Sequence, residues 1–184
     1  MLSLRQKMLI PLFAALTVVG GLIRVPLPPV PFTLQSMMVL LAGGLLPPAS
    51  AAACQAIFLL VGLAGLPVFA LGGGPGYVLQ PTFGYLLAFP LAAWTMAIMI
   101  RRGPCRWSRW LMAGGTALAV IFALGTAGLY LNLRFVAGTP ITVHQALYSG
   151  LILFVPAETL KLVLAGLLWK RLSTQMHHQG ALCD

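Results

Sequence analysis

The sequence predicts an all-α integral membrane protein. It has six transmembrane helices, both termini in the cytoplasm, and long Gly/Pro-rich external loops between spans 1 and 2 and between spans 3 and 4. Three observations carry this reading. Of 184 residues, 60% are hydrophobic and only 7% are charged, whereas a soluble domain has about 25% charged residues. So few charges cannot cover a water-facing surface, and the mean hydropathy of +0.97 agrees. The apolar residues also fall into six runs, parted by proline, glycine or arginine clusters. Finally, the basic residues segregate. With six spans, Arg5 and Lys7, the group Arg101, Arg102, Arg106 and Arg109, and the pair Lys170 and Arg171 share one side, while Arg24 and Arg134 lie on the other. The positive-inside rule makes the first side cytoplasmic. The formal net charge is +9, but these cations sit between apolar runs without interleaved aromatics. That pattern fits membrane topology and excludes nucleic acid as a partner.

Span 1 covers Lys7–Ile23. Its basic start and apolar body resemble a signal peptide, yet no A-x-A site follows, so a retained helix is predicted. It ends at RVPLPPVP, where proline removes the backbone donors a helix needs. Span 2 runs over Thr33–Leu46 and stops at Pro47-Pro48. Span 3 follows at once over Ala49–Leu66, which makes a tight helical hairpin. Both are short against the roughly 20 residues a bilayer requires. Span 4 is Pro81–Ile100, span 5 Trp110–Leu131 and span 6 Val143–Trp169. Residues 1–172 form a single membrane domain, and the polar stretch 173–184 reads as a flexible cytoplasmic tail.

The loop between spans 3 and 4, GLPVFALGGGPGYVLQPT, has no charge. Lipid cannot satisfy the amides of extended backbone, so this loop is expected to fold down as a cap over an outward pocket. Gly72–Gly76 is not a phosphate loop: no GK[ST], no G-x-G-x-x-G and no nearby cation accompany it. An ordinary turn and a ligand-contacting lid both remain open for it. Cys54, Cys105 and Cys183 show no metal or disulfide spacing, and His177-His178 on the tail read as solvated. No nucleophile motif, H-E-x-x-H or paired carboxylate is present, and no cofactor is expected. There is no nucleotide-hydrolysis motif either, so uphill transport would draw on an ion gradient or another subunit.

One stretch carries chemistry. FVPAETLKLVLAG contains Glu158, the chain's only acid besides Asp184, and Lys161 three residues later. That spacing places both on one helix face, where they can pair. Counting along span 6 puts them near mid-depth, where a lone charge costs about 2.5–3.5 kcal/mol. Pro156 denies the carbonyl of Ile152 its donor, so a kink or an open acceptor is expected beside the pair. The pair is either a structural lock or the polar floor of a substrate pocket, and intramembrane charges favour the second. In span 1, Ala14, Thr17 and Gly21 make a small-residue stripe suited to close contact with another helix, in this chain or in a partner.

Four stretches, VPFTLQ (30–35), GLPVFALGGGPG (65–76), PTFGYLLAF (81–89) and ALYSGLILFVPAETLK (146–161), resemble in that order the BioY family. These are the biotin-specific S-components of energy-coupling factor transporters. The resemblance covers Val30–Ala165, with span 5 matched by hydropathy only. It implies a six-helix, non-enzymatic protein of the bacterial cytoplasmic membrane that binds biotin from outside. It also implies partners: a transmembrane coupling subunit, met by the small-residue face of span 1 (Ala14, Thr17, Gly21), and ATPase subunits. Val18 and Val19 stand where the family favours small residues. Glu158 would accept from the ureido N–H groups of biotin and Lys161 would donate to its carbonyl. Phe69, Tyr77 and Tyr85 would form an apolar wall, and Thr33, Gln35, Gly73, Gln80 and Thr82 are further binding candidates. Arg24 or Arg134 would steer the ligand carboxylate. The chain differs from the family pattern at Ala157-Glu158, where Gly-Asp is usual. It also reads QPTFGYL for GPTGGYL, so Gln80 and Phe83 are expected to change the pocket volume. Alternatives are an S-component for another small vitamin-like ligand, a membrane enzyme acting on a lipid-like substrate, and a scaffold without ligand.

Overall fold

A computed structural model describes residues 4–27, 30–103, 106–138 and 141–177. Cys105, Cys183, His178 and most of the 173–184 stretch lie outside them. The chain forms α1 (Leu4–Leu22), a short hairpin of β1 (Arg24–Val25) and β2 (Phe32–Thr33), α2 (Gln35–Leu45), α3 (Pro48–Leu63), α4 (Phe83–Arg101) and α5 (Trp107–Leu131). It ends with α6 (Val143–Gly150) and α7 (Val155–His177). Three stretches, 83–101, 107–136 and 143–173, are long and apolar enough to cross a membrane, and α1, α2 and α3 are shorter apolar helices.

Each apolar stretch read as a span is helical, the last of them in two pieces. The hairpin expected at Pro47-Pro48 is there, because Pro48 opens α3 at a position where no backbone donor is needed. The central element is α2. Val39, Leu40 and Ala42 are fully buried, and nearly every residue from Gln35 to Leu45 is shielded. A helix apolar on all sides belongs in the middle of a bundle, and α1, α3, α4 and α7 pack around it. The helices α4 and α5 come into close contact where Gly84 meets Gly128. A Cβ on either would lie within 2.9 Å of the other's Cα, so only glycine permits this crossing.

Span 6 differs from the single helix predicted. It breaks into α6 and α7, joined through Leu151 (φ −129, ψ −64) and a 3-10 turn over Ile152–Phe154. A reciprocal capping box starts α6: Gln145 donates its backbone N–H to the Thr142 hydroxyl, and the Gln145 side chain accepts from the Thr142 N–H at 2.9 Å. Pro156 does not kink a helix, because it lies in the first turn of α7, where its missing donor costs nothing. The helix then continues to His177, past the predicted end at Trp169 and into the stretch read as a tail.

The small-residue stripe of α1 is buried within the chain. Thr17 is fully buried and Ala14 is nearly so. A Cβ on Gly21 would come within 2.7 Å of the Gln35 side chain. Thr17 meets α3 and Gly21 meets α2 within this chain, and Ala14 is buried beside them. The buried Gln55 amide of α3 donates to the Thr17 hydroxyl at 3.1 Å, which fixes that orientation.

Candidate functional site

Beneath the β hairpin and the 66–80 loop lies a narrow, half-open cavity of about 70 Å³. Its apolar wall includes Leu86 and Phe89 from α4, Ile121 and Phe122 from α5, and Phe154 from the break in span 6. Its polar groups come from four places: Thr33 on β2, Gln35 and Ser36 on α2, Tyr77, Thr82 and Tyr85 on and after the loop, and Glu158 on α7.

The floor is a buried ionic cluster. Lys161 and Glu158 form an ion pair through Glu158 Oε1. The Ser36 hydroxyl donates to the same oxygen at 3.1 Å and accepts from Lys161 Nζ at 2.7 Å. Lys161 Nζ also donates to the Thr33 carbonyl at 2.8 Å, and it stands 4.4 Å from the centre of the Phe32 ring. An ammonium has three donors, and all three are occupied. Glu158 sits in the first turn of α7, where the helix dipole also favours a carboxylate. Its other oxygen, Oε2, is buried and has no partner among the described residues.

Two further hydroxyl groups line the cavity as a pair. Tyr77 and Thr82 lie 3.1 Å apart. One hydrogen bond joins them, which leaves one hydroxyl proton uncommitted. The Tyr85 hydroxyl donates to the Gly150 carbonyl at 2.7 Å. It thereby satisfies a terminal acceptor of α6 and ties α4 to the break.

The predicted residues divide accordingly. Glu158, Thr33, Gln35, Tyr77, Thr82 and Tyr85 line the cavity, and Lys161 sits directly behind Glu158. Phe69 is buried behind the wall, its ring 4.6 Å from Tyr77 and 5.3 Å from Phe58. Gly73 serves the turn: a Cβ there would lie 2.0 Å from the Leu66 carbonyl. Gln80 is exposed, and Phe83 packs against the core outside the cavity wall. The two departures at 80 and 83 therefore lie outside the cavity lining. Ser36, Phe32, Ala70, Leu86, Phe89 and the α5 pair Ile121 and Phe122 escaped sequence reasoning. VPFTLQ stops one residue short of Ser36, and nothing in the apolar run of α5 distinguishes its inward residues.

The cap is pinned rather than loose. Phe69 and Gly72 exchange backbone hydrogen bonds at 2.9 and 3.1 Å, with Gly72 at φ +122, a conformation suited to glycine. Gly74 N–H donates to the Gly62 carbonyl at 2.7 Å. Asn132, in a π turn after α5, donates to the Leu79 carbonyl at 2.8 Å.

A family model described as the BioY family matches residues 1–178. The chain belongs to the BioY family. Relatives within BioY include the probable biotin transporter of Lysinibacillus sphaericus, 46% identical over 72% of this chain and 68% of that one. The biotin transporter of Thermotoga maritima is 36% identical over 92% of this chain and 96% of its own length. Among solved structures, the S-component for biotin from an ECF-type ABC transporter superposes with a TM-score of 0.80. It covers 95% of both chains at 24% identity, so it establishes the fold that this BioY chain shares.

Proposed function

We propose that this chain is the biotin-binding S-component of an energy-coupling factor transporter in the bacterial cytoplasmic membrane. In this reading α6 and α7 together make the sixth span, both termini are cytoplasmic, and biotin enters from outside beneath the hairpin and the 66–80 loop. Transport is energised by a transmembrane coupling subunit and ATPase subunits, and no covalent chemistry occurs here. The observation that carries the reading is Glu158 Oε2, a buried acceptor in the cavity wall without a partner among the described residues.

The ureido ring of biotin offers two N–H donors and one carbonyl. Glu158 Oε2 accepts from an N–H, and the spare proton of the Tyr77–Thr82 pair donates to the carbonyl. The thiophane ring and valeryl chain lie against Leu86, Phe89, Ile121 and Phe122. Lys161 then acts through Glu158: its donors are occupied, so it neutralises and orients the carboxylate. The biotin transporters among the relatives support the choice of ligand. For the coupling subunit, the outward stripe of α1 is open: Met8, Leu12, Ala15 and Val19 are exposed.

Calorimetric titration of the purified chain with biotin in detergent tests the reading. Glu158→Gln is expected to weaken binding at least tenfold, since a hydrogen bond to a charged group contributes about 1.5–3 kcal/mol. A wild-type dissociation constant near millimolar or weaker, about −4 kcal/mol, sinks biotin as the ligand. Tight binding of another vitamin under the same conditions would install the alternative S-component.

A further inference from the structure

Two clefts open on the loop face of the bundle. One is the cavity above. The other is lined by Gly21, Arg24, Pro67, Leu71 and neighbours. Ala70 is buried and lines both, so the two clefts adjoin at the 66–72 turn. The second cleft is the seam between that turn and the β hairpin.

Arg24 stands on this seam. In the hairpin it pairs directly with Thr33, and paired residues project to the same face of a ribbon. Thr33 lines the cavity, and its carbonyl holds Lys161. Arg24 is exposed, and no hydrogen bond or ion pair engages its guanidinium among the described residues. The other cation on this side, Arg134, is engaged elsewhere. It donates to the Tyr130 hydroxyl, lies over the Tyr130 and Phe135 rings, and borders neither cleft.

Resting on the reading that the ligand is biotin, we infer that Arg24 receives its carboxylate. The seam is the entry, the uncharged ureido ring passes ahead to Glu158, and the anionic tail stays at the guanidinium. A guanidinium matches a carboxylate in geometry as well as charge. An exposed cation at a mouth acts mainly on the association rate, and salt screens it.

Association kinetics of the full chain in nanodiscs of zwitterionic lipid test this, with biotin and the neutral biotin amide as probes. At low salt the wild type is expected to capture biotin roughly tenfold faster than the amide, within the range of electrostatic steering. The advantage should fade at high salt. Arg24→Gln should equalise the two rates, Arg24→Glu should invert the preference, and Arg134→Gln should leave it intact. Unchanged amide binding in each variant certifies the fold. A preference that survives Arg24→Gln, or is lost in Arg134→Gln, overturns the assignment. Wild-type binding of both probes at equal rates refutes Arg24 alone, whereas binding of neither refutes the biotin reading as well.

Discussion

Lys161 and Glu158 are unequal partners. The ammonium is closed by three acceptors, while the carboxylate keeps one oxygen open. Removing Lys161 leaves a buried, uncompensated charge, which costs about 3–5 kcal/mol. Lys161→Met should therefore lower the melting temperature in detergent sharply, and Glu158→Gln/Lys161→Met should recover much of the loss without recovering biotin binding. A double variant no more stable than Lys161→Met would contradict the neutralising role. Burial also pushes the Tyr77 phenol above its ordinary value of 10.0. The folded state then holds that proton longer than the unfolded chain does. Stability from this group is full below pH 10 and lost above it. The alkaline fall in stability should be shallower in Tyr77→Phe than in wild type. The charge pair was legible in the sequence because internal charges are rare in so apolar a chain. Ser36, which joins both, was not: its partner Glu158 lies 122 residues away, and serine is unremarkable at the start of a helix.

At the scale of elements, the break in span 6 is what presents Glu158. Hydropathy could not show it, because Leu151, Ile152, Leu153 and Phe154 are as apolar as their flanks. Pro156 signalled an irregularity, but its effect was to begin a helix. Tyr85 holds the break from α4, and its ring fits only because position 125 is glycine. A Cβ there would lie 2.1 Å from the ring. Gly125→Val should displace Tyr85, destabilise the protein by about 1–3 kcal/mol through overpacking, and weaken biotin binding. Tyr85→Phe keeps the ring and loses only the hydroxyl's bonds to Gly150 and, at 3.4 Å, Thr126, so it should cost about 0.5–1.5 kcal/mol. If the two variants lose equal stability in parallel thermal melts, the ring's position is not what Gly125 protects.

For the whole molecule, α1 divides its faces. Ala14, Thr17 and Gly21 turn inward, and Ala15 turns outward among larger apolar residues. Ala15→Trp should leave biotin binding by the purified chain within about twofold, a difference well under 1 kcal/mol, and abolish uptake in cells carrying the coupling subunits. Normal uptake would move the coupling contact to another face. By itself the sequence determined the membrane class, the order of the spans and the one internal charge pair, because transfer energies and proline chemistry act locally along the chain. Only the tertiary structure decided which small residues of α1 face inward, that Lys161 is closed and Glu158 open, and that Gln80 and Phe83 lie outside the cavity. Those outcomes depend on which helix faces meet across long sequence separations, and in an apolar bundle nearly every face is a plausible contact until the partners are in place.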